Sequence, residues 1–251
     1  MYLSKTVSLV IPAKNEAKNL PNILAHIPDF IDEVLLIDGN SSDETVEVAK
    51  SNSRISKIVA QRNKGKGGAL SRGFLESSGE IVIMIDADGS MDLAELARFA
   101  EAVASGNLIV KGSRYVPGGG SDDITKFRSL GNLFLTQVAN AFFQTKWTDL
   151  AYGYAAFDRR AINMLEISYL DSKVPGFWSH RKMTYGQGFE IETLLFCRAA
   201  RRGITVTEIP SWERNRVFGS SNLRAISDGT RALIAIIVER TRSRREIHGT
   251  R

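Results

Sequence analysis

The sequence predicts an α/β protein with an open, twisted, mainly parallel sheet flanked by helices. Two observations lead to this fold class. Short runs of β-branched and other apolar residues alternate along the first half of the chain with segments whose apolar residues recur at helical spacing, and such alternation is typical of βαβ units. The 251 residues are 43% hydrophobic and 24% charged, which is the composition of a globular protein and excludes a fibre or a disordered tail.

Five strands are predicted from short apolar runs at residues 7–11, 33–38, 58–60, 81–85 and 108–110. Four helices are predicted between them, at residues 19–27, 43–50, 67–77 and 92–104. Because each connection contains a helix, the strands are expected to be parallel and joined by crossovers. Ligands of such sheets bind at the carboxyl ends of the strands, so the residues that follow each strand are the first functional candidates.

Acidic and polar residues follow three of the predicted strands. Asp38 ends the second strand, and Asp86 and Asp88 follow the fourth. Two carboxylates that leave a buried strand one residue apart repel each other unless a cation lies between them. Mg²⁺ and Mn²⁺ prefer such oxygen ligands and are usually held by one or two carboxylates together with substrate phosphates. The sequence therefore predicts a divalent metal site at Asp86 and Asp88, with a polar turn as the alternative.

A glycine-rich segment, residues 63–69, precedes the third predicted helix and carries Lys66. Its glycines and basic side chains are compatible with a helix N-terminus that faces a diphosphate. The segment is neither a Walker A motif nor a dinucleotide-binding fingerprint. A plain loop is the alternative.

Seven short motifs occur in order between residue 5 and about residue 225, at residues 12–16, 37–43, 65–67, 86–88, 112–115, 149–157 and 216–221. Together they resemble the family 2 glycosyltransferases of the GT-A fold, which is Rossmann-like, and within them the dolichyl- or polyprenyl-phosphate mannose synthase group. The resemblance implies an inverting, metal-dependent transfer of a sugar from a nucleoside-diphosphate sugar, GDP-mannose or a UDP-hexose, to a polyprenyl-phosphate-type acceptor.

The resemblance also implies roles for single residues. Asp86 and Asp88 match the pair that binds the divalent ion, Mn²⁺ or Mg²⁺, and Ser90 stands where a further ligand, glutamine, is frequent. Arg128 and Ser221 are assigned to the acceptor phosphate. The implied nucleotide-sugar site comprises Pro12, Ala13, Lys14, Glu16, Asp38, Lys66, Asp86, Ala87, Asp88, Arg114 and Arg216.

The class of acceptor decides whether a general base is needed. A hydroxyl must lose a proton, whereas a lipid phosphate is already ionised and needs positive groups to guide it. The candidate catalytic acids are Glu190, Glu192 and Asp149, and ordinary acids at helix starts are the alternative. The prediction is a polyprenyl phosphate, with a soluble hydroxyl acceptor as the first alternative and a sugar nucleotidyltransferase as the second.

The predicted organisation is a single domain of residues 1–251, with a nucleotide-sugar-binding half (5–111), an acceptor half (112–225), and a C-terminal helix and basic tail (226–251). No run reaches the ~20 apolar residues of a spanning helix. Apolar stripes at helical spacing in residues 134–143 and 225–239 pack in the core or, with the basic tail, rest on a membrane. We expect a cytoplasmic protein, free or peripheral at a membrane, that does not bind nucleic acid; its oligomeric state stays open.

Overall fold

Seven strands form the main sheet in the computed structural model, which describes residues 4–167, 186–219 and 223–242. The strands of the described chain, including two short ones in a second sheet, are β1 (Val7–Ala13), β2 (Glu33–Asp38), β3 (Lys57–Ala60), β4 (Ile81–Met84), β5 (Ile109–Ser113), β6 (Gly120–Ser121), β7 (Ala155–Asp158), β8 (Val206–Pro210) and β9 (Trp212–Glu213). The helices are α1 (Leu20–Ala25), α2 (Thr45–Lys50), α3 (Gly65–Glu76), α4 (Leu96–Ala104), α5 (Lys126–Phe143), α6 (Arg159–Met164), α7 (Ile191–Arg201) and α8 (Ala225–Thr241).

The strand order of the main sheet is β3-β2-β1-β4-β7-β5-β8. All neighbouring strands are parallel except at β7, which runs antiparallel to both β4 and β5. The mainly parallel sheet is therefore confirmed, and the five predicted strands are β1 to β5. Of the main sheet, the sequence prediction missed β7 and β8, and it gave no strand order; in the structure β7 lies between β4 and β5.

Helices cover both faces of the sheet, and the side chains of β1 alternate between the two faces. Leu9 and Ile11 pack in a cluster with α1 and α4, while Val10 packs in the opposite cluster with α3, α5, α7 and α8. Both faces of the strand are buried. This explains why the sequence of β1 is a continuous apolar run rather than an alternation of apolar and polar residues. The same layering leaves the carboxyl ends of the parallel strands as the accessible edge.

A second, two-stranded sheet joins β6 to β9 in parallel. It holds the segment after β5 against the segment after β8, because the amides of Gly120 and Asp122 donate to the carbonyls of Ser211 and Glu213 at 3.1 and 2.8 Å. This contact brings the chain around Arg216 over the carboxyl edge of the main sheet.

Helices α5 and α8 pack against each other and, with α7, close one face of the sheet. Their buried sides include Leu135, Ala139 and Ala232, so core packing of the two predicted stripes is confirmed for these residues. The first turns differ: Phe127 and Leu130 of α5 are 64% and 66% exposed, although they are large and apolar. Within the described residues, no helix has the length and apolar character needed to cross a membrane.

Candidate active site

The carboxyl ends of β1, β2 and β4 meet at one edge of the sheet, as parallel pairing requires. Ala13 of β1 lies opposite Asp38 of β2 in the register, and the turn 86–88 follows β4 on the other side of β1. The Asp38 carboxylate is 8% exposed and accepts a hydrogen bond from the Ser41 amide at 3.1 Å. Pro12 is half-buried and Lys14 is exposed at the same edge.

The turn after β4 carries Asp86, which lines a cavity, and Asp88, which pairs with Arg216 of the same cavity lining. Asp88 Oδ1 accepts hydrogen bonds from the amide and the hydroxyl of Ser90 at 3.0 and 2.7 Å. Gly89 makes this possible, because its φ of 75° lies in the left-handed region that favours glycine. Ser90 therefore orients the carboxylate of Asp88. The sequence analysis did not predict this role, because it noted only that Ser90 stands where a glutamine ligand is frequent.

Two side-chain cations neutralise this acidic pair. Lys66 Nζ lies 2.6 Å from Asp86 Oδ1 and also 2.6 Å from Glu192 Oε1. Arg216 NH1 lies 2.8 Å from Asp88 Oδ2. We refer to Lys66, Asp86, Asp88, Glu192 and Arg216 as the acidic site. The repulsion between neighbouring carboxylates, from which the metal site was predicted, is relieved in this structure by basic side chains.

The electrostatics of the acidic site follow from burial and pairing. Burial favours the neutral amine of Lys66, yet the carboxylates of Asp86 and Glu192 outweigh it and raise the pKa of Lys66. Burial raises the pKa of Glu192 more than the ammonium of Lys66 lowers it. Glu192 therefore holds its proton more tightly than an ordinary glutamate, although it lies beside the ammonium of Lys66.

Glu16 lies within the field of the acidic site. Burial raises its pKa, the hydrogen bond from Asn19 Nδ2 (2.6 Å) opposes that shift, and the negative charge of Asp88 adds to it. Asn19 also exchanges hydrogen bonds with the backbone of Phe218, at 3.0 and 3.2 Å. The segment that carries Arg216 is thus tied to Asn19, the residue before α1, which lies 199 positions from Phe218 in the sequence.

Arg114, just after β5, is held in a buried ion cluster. Its guanidinium donates to both carboxylate oxygens of Asp149, at 2.7 and 3.0 Å, and to Glu213 Oε2 at 2.9 Å. The guanidinium carbon also lies 4.8 Å from the ring centroid of Tyr152. The sequence analysis did not predict that Glu213 and Tyr152 contact Arg114. The one sequence feature that pointed to Glu213 is its position, three residues before Arg216.

Asp149 is completely buried, and Asn132 Nδ2 donates to its Oδ1 at 2.9 Å in addition to the contacts from Arg114. Burial raises its pKa, but the guanidinium of Arg114 more than offsets this, so the pKa of Asp149 is lowered. A carboxylate of low pKa with both oxygens occupied accepts a proton poorly. The catalytic role predicted for Asp149 stays a prediction, and its contacts favour a role in positioning Arg114.

The two glutamates near the start of α7 occupy different environments. Glu192 lines the cavity beside Lys66. Glu190 is 1% exposed, pairs with Arg231 of α8 at 3.1 Å, and accepts a hydrogen bond from the Gly188 amide. Glu190 does not line the cavity, and its ion pair with Arg231 links the start of α7 to α8. Glu192 is the better placed of the two for chemistry.

The glycine-rich segment has a different use from the one expected. The Gly67 amide donates to the carbonyl of Gln187 at 2.9 Å, and a Cβ on Gly67 would lie less than 3.0 Å from the backbone of Gly186. The expectation of an open helix N-terminus facing a diphosphate is therefore wrong for this amide. The glycines let the segment 186–188 approach α3, and this approach places Glu192 next to Lys66.

We expect Gly67→Ala to disturb this approach and lower the free energy of unfolding by about 1–3 kcal/mol, the usual cost of overpacking. Thermal and urea unfolding would measure it. Gly131→Ala is the matched control, since a Cβ at Gly131 meets nothing within 4 Å, and alanine is favoured over glycine within a helix by up to ~1 kcal/mol. Equal stability of the two variants would contradict the packing role of Gly67.

A cavity of about 180 Å³ connects the acidic site with α5 and α8. Its polar end contains Lys66, Asp86, Glu192, Arg114 and Arg216. Its other end lies between the two helices and is lined mostly by apolar residues, namely Phe127, Gly131, Leu135, Leu223, Ala225 and Ala232, together with Asp228 of α8. Arg128 of α5 also lines it and pairs with Asp123 at 3.2 Å, while Ser221 lies outside the described residues.

A larger and more open cavity, of about 460 Å³, lies elsewhere, between the end of α5 and β8. It is lined by Phe143, Lys146, Trp147 and Glu208 among others, and none of the predicted site residues lines it. We therefore place the candidate active site in the smaller cavity, where the charged groups converge.

Solved structures show the same fold. Glucosyl-3-phosphoglycerate synthase of Mycobacterium tuberculosis, in complex with Mn²⁺, uridine diphosphate and glucosyl-3-phosphoglycerate, matches with a TM-score of 0.67 and 19% identity over 94% of this chain and 80% of that chain. A complex of the same enzyme with Mg²⁺ and uridine diphosphate matches with a TM-score of 0.68. At this identity the likeness concerns the fold, which is the GT-A fold.

A GT-A sheet with an acidic turn after a central strand defines the class of this protein: it is a glycosyltransferase. Residues 8–165 match the family model described as Glycosyl transferase family 2. The chain belongs to that family.

Two curated relatives match along most of the chain. The undecaprenyl-phosphate mannosyltransferase of Micrococcus luteus is 28% identical over 226 residues, covering 86% of this chain and 87% of the relative. The polyprenol monophosphomannose synthase of Mycolicibacterium smegmatis is 30% identical over 229 residues, covering 86% of this chain and 80% of the relative. The resemblance to the polyprenyl-phosphate mannose synthase group is confirmed.

Proposed function

We propose that this glycosyltransferase moves a hexose from a nucleoside-diphosphate sugar, GDP-mannose or a UDP-hexose, to a polyprenyl phosphate, with Mn²⁺ or Mg²⁺. The observation that carries the proposal is the cavity with two unlike ends. Its charged end suits a diphosphate and a divalent ion, and its apolar end, between α5 and α8, suits a hydrocarbon chain. The relatives named for undecaprenyl-phosphate and polyprenol substrates support the same acceptor.

The donor atoms of the acidic site fit a hard divalent cation. Asp86 lines the cavity and Asp88 follows in the same turn, and both offer the carboxylate oxygens that Mg²⁺ and Mn²⁺ prefer. Within residues 4–167, 186–219 and 223–242, no group of three or more His, Cys, Asp or Glu side chains could hold a metal ion. This agrees with an ion that takes its remaining ligands from the substrate diphosphate and water.

The reaction in this proposal is an in-line displacement at the anomeric carbon. An acceptor oxygen forms its bond to that carbon as the bond to the diphosphate oxygen breaks, so the configuration inverts and a nucleoside diphosphate leaves. A bound divalent ion supplies Lewis-acid stabilisation of the leaving diphosphate. Arg216 and Lys66 lie where they can donate to phosphate oxygens as charge develops on them.

The apolar surface next to the cavity favours a lipid acceptor over a soluble one. Phe127, Leu130, Leu133 and Phe134 of α5 and Ile226 of α8 are between 51% and 76% exposed. Lys126 and Arg224, both exposed, stand at the starts of the same helices. An apolar patch bordered by basic residues is the surface expected of a protein that rests on an anionic membrane. We propose peripheral membrane contact at this patch.

One observation favours a second candidate, transfer to a hydroxyl of a soluble molecule or saccharide. Glu192 is a cavity carboxylate whose pKa is raised by burial, and a raised pKa makes a carboxylate a better general base. Phosphate acceptors do not need that base. The two acceptor classes therefore differ in which residue they require.

Within this proposal the chain is one domain. Residues 5–111 form the nucleotide-sugar-binding half, residues 112–225 the acceptor half, and residues 226–251 the C-terminal helix and basic tail. Pro12, Glu16 and Asp38 lie at the end of β1 and β2, on the side of the acidic pair where a nucleoside would extend. Arg128 lines the same cavity and supplies a positive charge for the acceptor phosphate.

Arg128→Ala is expected to lower kcat/KM for polyprenyl phosphate roughly 10- to 100-fold, because one charge-assisted hydrogen bond is worth about 1.5–3 kcal/mol. Lys50→Ala, which removes an exposed charge at the end of α2, outside the cavity and the apolar patch, should have little effect. Sugar transfer would be assayed with polyprenyl phosphate and with a panel of hydroxyl acceptors. The second candidate would be favoured if the enzyme transfers sugar only to hydroxyl acceptors and if Glu192→Gln lowers kcat/KM for them by ~10²- to 10⁴-fold.

A further inference from the structure

Each aspartate of the acidic site already has its own counterion. Asp86 pairs with Lys66 and Asp88 pairs with Arg216, at 2.6 and 2.8 Å. Lys66 also bridges to Glu192 at 2.6 Å. Three carboxylates and two basic side chains leave the site with a formal charge of one negative unit, so a divalent cation meets oxygens that are largely neutralised.

The two cations come from elements that are not part of the acidic turn. Lys66 reaches the turn from the first turn of α3, and Arg216 reaches it from the segment after β9. Gly153 leaves room for the first of these pairings, because a Cβ there would lie 2.9 Å from Glu192 Oε1 and 3.0 Å from Lys66 Nζ. The pairing of Lys66 is therefore a built contact of the folded chain rather than the chance position of a surface lysine.

We propose that Lys66 and Arg216 act as internal counterions that pass from the carboxylates of Asp86 and Asp88 to the donor diphosphate when the divalent ion binds. This inference rests on the proposed function. A metal ion alone must displace both basic side chains and leave them without partners. A metal ion that arrives with a nucleoside diphosphate gives them new partners, because the phosphate oxygens accept from the same ammonium and guanidinium groups.

Arg216 is suited to such a transfer. Its buried Nε has no hydrogen-bond partner within the described residues, and the nearest carboxylate oxygen paired with it, Asp123 Oδ2, is 3.8 Å away. An unsatisfied donor on a buried guanidinium costs free energy that a phosphate oxygen would recover. The planar guanidinium can then engage a phosphate through two donors at once.

Binding of the metal and binding of the nucleotide are consequently coupled. Each ligand raises the affinity of the other by the same factor, because coupling free energies are reciprocal. Removing the positive charge of Lys66 should separate the two effects. Mn²⁺ alone should bind more tightly, since it no longer competes with an ammonium, while the nucleotide loses a phosphate contact.

The test is isothermal titration calorimetry of the whole chain with Mn²⁺ alone, with UDP or GDP alone, and with each nucleotide in the presence of Mn²⁺. Wild type is compared with Lys66→Met, which keeps the unbranched stem of the side chain and removes the charged amine. Lys64→Met is the matched control, because it removes the same charge from an exposed position two residues away. Arg216→Gln and its control Arg214→Gln repeat the test on the second aspartate, and circular dichroism verifies folding.

We expect Lys66→Met to bind Mn²⁺ alone about 10-fold more tightly than wild type. The factor by which the nucleotide strengthens Mn²⁺ binding should fall about 10-fold, which is within the range of common coupling energies. An Mn²⁺ affinity that is unchanged or lower in both folded variants, Lys66→Met and Arg216→Gln, overturns the inference. Absence of binding of Mn²⁺ and of both nucleotides in the wild type contradicts the proposed function itself, so the two failures are distinguishable.

Discussion

Asp88→Asn is expected to abolish metal-dependent binding of the nucleotide sugar and to lower kcat/KM at least ~100-fold, the scale of losing one strong electrostatic contact to the transition state. The carboxylate is positioned by Ser90 and neutralised by Arg216. Asparagine keeps its shape and its oxygen for Ser90 but loses the charge. Calorimetry with UDP- and GDP-sugars in the presence of Mn²⁺ would measure the loss.

Asp122→Asn is the control for this change. Asp122 is an exposed acid near the same edge of the protein, and its side chain accepts from the indole of Trp212 rather than lining the cavity. The substitution alters the net charge by the same amount. Asp88→Asn protein that stays folded and binds the donor with wild-type affinity would show that the acidic turn is not the metal site.

Asp149→Asn is expected to lower the free energy of unfolding by about 3–5 kcal/mol, because breaking a buried ion pair leaves the other charge uncompensated. Asp149 is 0% exposed and Arg114 donates two hydrogen bonds to it. Asp29→Asn is the control: the side chain of Asp29 is fully exposed and lies 3.8 Å from Arg54, and exposed pairs contribute little to stability. Urea unfolding at pH 7 would compare the two variants.

The stability that Asp149 contributes depends on pH with a definite sign. Its pKa is lowered in the folded protein, so the unfolded state takes up the proton first as the pH falls. The contribution is fully present above the pKa of the unfolded state, about 4, and is lost as the pH falls toward the lower folded pKa. The difference between wild type and Asp149→Asn should therefore shrink below pH ~4. A difference that stays constant down to pH 3 would contradict the ion-pair explanation.

The acidic turn and its place in the sheet were predictable from the sequence. Asp86 and Asp88 follow five consecutive apolar residues, 81–85, and the carboxyl end of a strand in a parallel sheet lies at the ligand-binding edge. The strands before it were equally clear, because each is a short apolar run followed by a helical pattern. These features depend on residues that lie within about ten positions of each other, and such local patterns can be recognised in a single sequence.

The contacts that complete the site were not predictable in the same way. Lys66 meets Glu192 across 126 positions, and that meeting depends on how closely Gly67 lets segment 186–188 approach α3. In the sequence, Asp149 is indistinguishable from a catalytic acid. In the structure, hydrogen bonds from Arg114 and Asn132 occupy its carboxylate oxygens. β7 escaped notice because its residues, Ala155–Asp158, are mostly small and lack the β-branched side chains typical of strands.

The antiparallel strand between β4 and β5 is synthesised after both of the strands that it joins. β4 and β5 do not pair with each other, so their shared gap is filled only when residue 158 has left the ribosome. That happens 47 residues after residue 111, or roughly 2 to 9 s later at ~5–20 residues per second. Until then the wholly apolar edge of β4 is open to pairing with other chains. A nascent chain that stalls in this interval is exposed to aggregation, and a chaperone that covers β4 for these seconds would protect it.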